Sequence, residues 1–464
     1  MTTSPPPSGS TKSAAAHGNG YVVLIASAAA LGGLLFGYDT AVISGGIDFL
    51  AAYFGIGEAA KGWAASCALL GCIAGAMSGG PLGDRFGRKP MLILCAALFG
   101  LSGLASALAA TLNQFVIARL VGGFAIGAVS VLSPLYIAEI APVALRGRLV
   151  ALYQLAIVVG ISLVFFVNLV IQQQGDLAWN QATGWRWMMG SLMVPSVLFL
   201  LTTLLIPESP RWLIRVGRRE RAQAVLVRVA GAAEADRELQ EIAATLAEPS
   251  PGALRELFAR RYRRPLVIGA VLAVIQQFCG INSIMYYGPS IFHRPGQTNI
   301  DAAFWFTAIV GLVNLLFTFV AIWLVDRAGR RPLLIVGSAV QVLALAACGL
   351  AFQQQWSGVA LLAAVLVFIA AFAAAMGPVL WILISEIFPN RMRGLAMSVA
   401  TLVLWSACFT VSETFPWLRS AIGPAWTFWV YALCSLLGLM FILARVPETK
   451  GRSLEEIERS WIAS

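Results

Sequence analysis

Asp39, in "LLFGYDTAVISGG", and Arg119, in "NQFVIARLVGG", are charged side chains set deep inside apolar runs. An isolated charge in hydrocarbon costs at least about 2.5–3.5 kcal/mol, so opposite charges at equal depth are expected to pair. At 1.5 Å per residue, Asp39 lies about 10 Å inside the end of its run near Gly46, and Arg119 about 9 Å inside Asn113. The two runs point in opposite directions, so the depths match. Such a pair can hold helices together permanently, or it can handle a proton. Carboxylate proton affinity depends on hydration and on the distance to a cation, so a motion that changes either loads or releases a proton. His17, in the amino-terminal tail, and His293, in a connecting loop, are poorer candidates.

A second set of polar groups is neutral. "QQFCGINSIMYYG" places Gln276, Gln277, Asn282 and Tyr286 in one apolar run. Counted from Pro265, Gln276 lies about 16 Å into the membrane, near its middle. Amides donate and accept, as each hydroxyl of a sugar does, and aromatic rings suit the C–H face of a pyranose. The bland alternative is packing between helices. The spacing does not put all four on one helical face, and Gly280 is expected to break the helix and re-aim them. In "AAMGPVLW", Gly377 and Pro378 interrupt another run just before Trp381, which marks a hinge beside a binding site or a simple kink.

The third set is charged and sits at the ends of the runs. Asp84, Arg85, Arg88, Glu139, Arg146, Glu208 and Arg211 have counterparts in Asp326, Arg327, Arg330, Glu386, Arg393 and Glu448. They read as solvated loop charge, or as a cytoplasmic gate whose ion pairs join two bundles only when that side is closed. Partial exposure keeps each such pair near ~1 kcal/mol.

The elements that must position these groups are membrane helices. The chain has 464 residues, 59% hydrophobic and 12% charged, with mean hydropathy +0.80. Twelve apolar runs of spanning length are expected, at 21–46, 61–82, 90–111, 114–138, 149–171, 187–206, 265–288, 302–325, 332–352, 357–386, 395–415 and 424–444. They are continuously apolar rather than alternating, which indicates helices and not a barrel. The division is a tail at 1–20, six spans over 21–206, a linker with amphipathic helices at 207–264, six spans over 265–446, and a tail at 447–464. The tail "MTTSPPPSGSTKSAAAHGNG" reads as disordered and lacks the pattern of a cleaved signal peptide. Of the 32 Lys and Arg, 27 fall on one side if the amino terminus is cytoplasmic. The net charge of +10 is then topology rather than a nucleic-acid footprint, and both termini are cytoplasmic. The seven cysteines lie in apolar runs without metal-ligand spacing and read as small buried hydrophobes. Glycines 71, 75, 79 and 83 form small-xxx-small steps for close helix packing. Nothing resembles a phosphate-binding loop, metal cluster or nucleophile–base set, so no enzyme and no cofactor is expected.

The halves repeat. "GDRFGRKPMLIL" (83–94) matches "VDRAGRRPLLIV" (325–336), "IAEIAPVALRG" (137–147) matches "ISEIFPNRMRG" (384–394), and "PESPRWL" echoes "PETKGRSL". Together these motifs resemble the sugar porter branch of the major facilitator superfamily, over residues 21 to 456. The resemblance implies two six-helix bundles that alternate between outward- and inward-open states, acting as a monomer in the inner (plasma) membrane. It implies sugar contacts at Gln154, Gln276, Gln277, Asn282, Asn314 and Trp381, with Phe36 flanking the sugar; Tyr286, Gly377 and Trp405 join them as candidate substrate-binding residues from their own types and places in the runs. It also implies proton coupling at Asp39. One departure stands out: where relatives carry amides one residue before Trp405 and three after it, this chain has Leu404 and Cys408. The expected function is import of a pentose or hexose with protons. An uncoupled facilitator, in which Asp39 is structural, and a transporter-like sensor are the alternatives.

Overall fold

The computed structural model describes residues 10–247, 258–259, 262–293, 300–388 and 390–450. Every regular element among them is helical. Eleven helices are long and apolar enough to cross a membrane. The last of these, within Asn390–Arg445, is two spans: Gly423, at φ 84°, folds it back just before Pro424. Positive φ is open to glycine at little cost, and Pro424 then starts the return helix. The result is a twelve-helix multi-pass membrane protein.

The first helix, Ser10–Phe54, begins inside the stretch expected as tail and runs past the expected end near Gly46 to stop at Gly55, where φ is +63°. Asp48 ends the apolar run but not the helix, because Lys61 of the second span (Glu58–Phe86) pairs with it. Asp48 and Lys61 are therefore charges carried on spans, as is Glu413 on the eleventh. This widens the short set that Asp39 and Arg119 formed in the sequence.

Spans three to five are Arg88–Leu108, Leu112–Ile140 and Val143–Gln172. The sixth, Leu177–Leu205, starts ten residues earlier than its hydropathy indicates. Its polar beginning contains a π-turn, Asn180–Gly184, where Asn180 Nδ2 donates to the carbonyls of Gln172, Gly175 and Asp176. Three short helices follow, Pro210–Arg215, Arg219–Ala230 and Ala232–Ala247, the amphipathic linker pattern.

Span seven is broken into Arg263–Phe278, Ile281–Tyr286 and Gly288–Phe292. The break falls at Gly280, at φ +83°, where a Cβ would also meet the Tyr431 ring at 2.4 Å. Spans eight and nine are Asp301–Ala328 and Arg330–Gln353. Span ten runs Gly358–Ala371, a π-turn at Phe372–Met376, then Gly377–Ile387. Pro378 supplies no N–H to the ladder, so the helix re-registers there.

Close approach between spans is made by small residues. A Cβ at Gly123 or Gly127 would sit within 2.0 Å of a span-two carbonyl, and one at Gly71 or Gly75 within 2.2 Å of a span-four carbonyl. Gly79 and Gly83 face span four as well. Spans two and four pack most extensively, then one with five; between the halves, two packs on eleven and five on eight.

Candidate functional site

Tight packing of span one against spans four and five positions the ion pair. Asp39 is fully buried and Arg119 is 2% exposed. Arg119 Nη1 donates to Asp39 Oδ1, and Nη2 donates to the Asp39 carbonyl at 3.1 Å. The expected pair is thus formed. Asp39 Oδ2 and Arg119 Nε are buried and have no hydrogen-bond partner among the described residues. Oδ2 points toward Gly122 of span four, 3.0 Å from where a Cβ would stand, which is close to Ser102 of span three.

The amides of span seven form a chain of hydrogen bonds. Gln276 Nε2 donates to the Met376 carbonyl (2.8 Å) and, at 3.4 Å, to that of Gly377, at the break in span ten. Gln277 Nε2 donates to Gln276 Oε1 at 3.3 Å. Asn282 Nδ2 donates to Gln277 Oε1 and to Cys408 Sγ, the latter at 3.0 Å. Tyr286 Oη lies 3.8 Å from the same sulfur. The turn at Gly280 brings Asn282 back onto Gln277 despite their awkward helical spacing.

Phe36 of span one and Trp405 of span eleven meet across the halves with ring centroids 5.5 Å apart. Trp405 is buried, and its Nε1 has no partner among the described residues. Gln154 and Trp381 are half-buried on spans five and ten. Asn314 is buried on span eight, where its carbonyl accepts from Thr318 Oγ1; its side chain takes no described part in the amide chain. Cys408 is the group that sequence reasoning placed differently: it is buried, as expected, but it also accepts from Asn282. The available signal was the thiol standing where the family resemblance implies an amide.

At the basic end, the repeats coincide bond for bond. Arg88 grips Glu139 through Nε (3.0 Å) and Nη2 (2.9 Å); Arg330 grips Glu386 through Nε (3.2 Å) and Nη2 (2.9 Å). Ser209 Oγ donates to Glu139 and Thr449 Oγ1 to Glu386. Glu208 accepts the backbone N–H of Arg88, and Glu448 that of Arg330. Asp84 pairs with Arg88 and Arg215, both at 2.9 Å. None of these ion pairs joins one six-span half to the other; that of Asp84 with Arg215 ties the first half to the linker. Arg85 and Arg327 lie over the rings of Phe86 and Trp323. Arg146 donates to the Ala141 carbonyl at 3.5 Å, and Arg211 is exposed. The side chains of Asp326 and Arg393 lie outside the described residues.

Burial pushes the Glu208 carboxyl above its ordinary value despite N–H bonds from Ser209, Lys89 and Arg88. For Glu448 burial acts in the same direction, but N–H bonds from Lys450, Arg330, Arg331 and Thr449 outweigh it and hold that carboxyl low.

The opposite end carries contacts between the halves that the sequence did not reveal. Ser290 donates to Asp48, Ser66 to Glu413, and Gln172 Nε2 to Asp301 Oδ1 at 2.9 Å. Deeper, Ser162 Oγ donates to the Gly311 carbonyl at 2.7 Å.

Comparison with known proteins agrees with this architecture. The family model described as "Sugar (and other) transporter" matches residues 25–461. The arabinose-proton symporter of Bacillus subtilis is 43% identical over 447 residues, covering 96% of each chain. The inward-open structure of the xylose transporter XylE of Escherichia coli superposes with a TM-score of 0.85 at 39% identity, over 95% of this chain and 100% of that one. The structure of the proton:xylose symporter XylE bound to 6-bromo-6-deoxy-D-glucose gives 0.77 at 39% identity, over 96% and 99%. With a family match across nearly its whole length, the chain belongs to the sugar transporter family.

Proposed function

We propose that this chain imports a monosaccharide, a pentose or hexose, together with protons, by alternating access between two six-helix halves. The observation that carries the reading is the Asp39–Arg119 pair: a fully buried carboxylate with one oxygen, Oδ1, held by a guanidinium, and the other, Oδ2, not engaged by that guanidinium and without a hydrogen-bond partner among the described residues. The carboxylate oxygen that the guanidinium does not engage is the one placed to take up a proton. In this reading Oδ2 takes the proton, which neutralises the carboxylate and loosens its hold on Arg119. Intramembrane carboxylates commonly serve as proton relays.

Sugar binds beside the amide chain. Gln276, Gln277, Asn282 and Tyr286, with Trp405 Nε1 as a donor, supply hydroxyl partners. Phe36 and Trp381 flank the ring, and Gln154 and Asn314 complete the set from spans five and eight. Gly377 lies at the break that lets span ten move. The names of the arabinose- and xylose-proton symporters among the relatives support this substrate class.

The basic end is cytoplasmic in this reading, with both termini there, in accord with the distribution of Lys and Arg. The division at 207–264 separates the halves, and a monomer in the plasma membrane suffices. The cross-half bonds at the opposite end and the own-half ion pairs at the basic end correspond to an inward-facing state, in keeping with the higher TM-score against the inward-open relative. When the basic end closes, Arg88, Arg330 and their neighbouring charges meet partners across the halves.

The test is uptake into proteoliposomes of labelled arabinose, xylose, galactose and glucose, with and without an acid-outside pH gradient. Accumulation of one sugar above its external concentration only when the gradient is present is expected. Equilibration without accumulation would instead mark a facilitator.

A further inference from the structure

A cavity of about 630 Å³ opens at the basic end of the first half, where the ends of spans two and three meet the linker helices. Its lining includes Lys89, Arg218, Arg221, Glu208, Phe86 and Trp212. Three cations thus face one carboxylate, and that carboxylate is already occupied by the N–H groups of Arg88, Lys89 and Ser209. A fourth cation, Arg85, stands over the ring of Phe86, which is itself a lining residue. The nearby Asp84 is neutralised by Arg88 and Arg215. Arg218 and Arg221 are exposed and make no ion pair among the described residues. The cavity is therefore a net cationic, partly aromatic recess with unspent hydrogen-bond donors.

Its surroundings say which anion fits. Lys89 Nζ donates to the Leu204 carbonyl at 2.8 Å, so the recess adjoins the inner end of span six. Leu201, Leu204 and Leu205 are exposed there, Leu205 at 85%, as is Phe86. A charged recess that continues into a strip of outward-facing leucine has the two-part chemistry of a phospholipid: phosphate in the recess, acyl chain along the strip. A free phosphate would use only the first part.

We propose that this recess is a binding site for an anionic phospholipid, its phosphate held by Lys89, Arg218 and Arg221 and its chain laid along Leu204 and Leu205. The lipid ties the linker helix Arg219–Ala230 to the ends of spans two, three and six. With the sidedness proposed above, the lipid belongs to the cytoplasmic leaflet. The binding claim does not depend on sugar or proton coupling, and the two stand or fall separately.

Native mass spectrometry of the full chain in detergent tests it, with phosphatidylglycerol and phosphatidylcholine of identical chains and with inorganic phosphate as competitor. Wild type is expected to retain phosphatidylglycerol over phosphatidylcholine. Arg218→Gln with Arg221→Gln should weaken retention by roughly tenfold or more, while Arg218→Lys with Arg221→Lys should largely keep it. Equal retention by wild type and the double glutamine variant would overturn the proposal. So would equal retention of the two lipids, or displacement of phosphatidylglycerol by millimolar inorganic phosphate.

Discussion

Replacing Asn282 by alanine separates two roles that the amide chain combines. Asn282 Nδ2 gives one proton to Gln277 Oε1 and the other to Cys408 Sγ, so the nitrogen is saturated by the protein. The group left for sugar is Oδ1, an acceptor for a hydroxyl. Removing it costs one hydrogen bond, about 0.5–1.5 kcal/mol, or about 2- to 13-fold in Kd. The same change leaves Gln277 Oε1, on a residue 5% exposed, without its donor. That penalty of about 1–3 kcal/mol appears in stability rather than in affinity. Cys408→Ala works in the opposite direction: it removes a weak acceptor and frees the second Asn282 proton for a sugar oxygen. Affinity should then hold or tighten by up to about tenfold. Calorimetry of sugar binding, with a thermal melt of each variant, reads both effects. Unchanged Kd in Asn282→Ala would refute the reasoning, because Oδ1 would then not meet the sugar; so would equal weakening in Asn282→Ala and Cys408→Ala, because the thiol would then contribute as much to the sugar as the amide.

Arg119→Ala leaves Asp39 buried without its cation and should destabilise the protein by about 3–5 kcal/mol; adding Asp39→Asn should restore part of the loss in a thermal melt, and no restoration would mean that charge pairing is not the cause. Glu448 gives a pH test. Its carboxyl is held below the ordinary 4.5, so its stabilisation is complete above that value and is lost as pH falls through the depressed one. Glu448→Gln should therefore lower the melting temperature at pH 7 with a deficit that shrinks on acidification, and a deficit independent of pH would contradict this. Glu208, raised by burial, has the opposite sign: its contribution favours the folded state at low pH and fades as pH rises through the raised value.

The legible part of this protein is what repeats or what apolar length dictates. The paired motifs around Arg88 and Arg330 announced a duplication that the structure reproduces down to the Ser209 and Thr449 hydroxyls. Asp39 and Arg119 could be paired from depth alone, since few other charges lie so far inside apolar runs. Less was legible where polar residues stay helical because a distant partner satisfies them. Asp48 looked like a span end because its partners lie on other helices, Lys61 on the next span and Ser290 far off in the second half. The "QQQGDLAWNQATGW" stretch looked like loop because nothing local shows that Asn180 would bind three carbonyls. Helical spacing separated Gln277 from Asn282, and only the left-handed Gly280 reunites them. Cross-half bonds at the end opposite the arginines belong to one conformation, and a sequence encodes both.

The central claim is that Asp39 carries the proton, and Asp39→Asn tests it most directly. Asparagine keeps size and can still accept from Arg119, but it cannot be charged or gain a proton at Oδ2. In proteoliposomes the variant should bind sugar and exchange it at equal concentrations on both sides. It should fail to accumulate sugar when the outside is acid. Concentrative uptake by Asp39→Asn under a pH gradient would contradict the account, making the Asp39–Arg119 pair a structural brace and placing the proton site elsewhere.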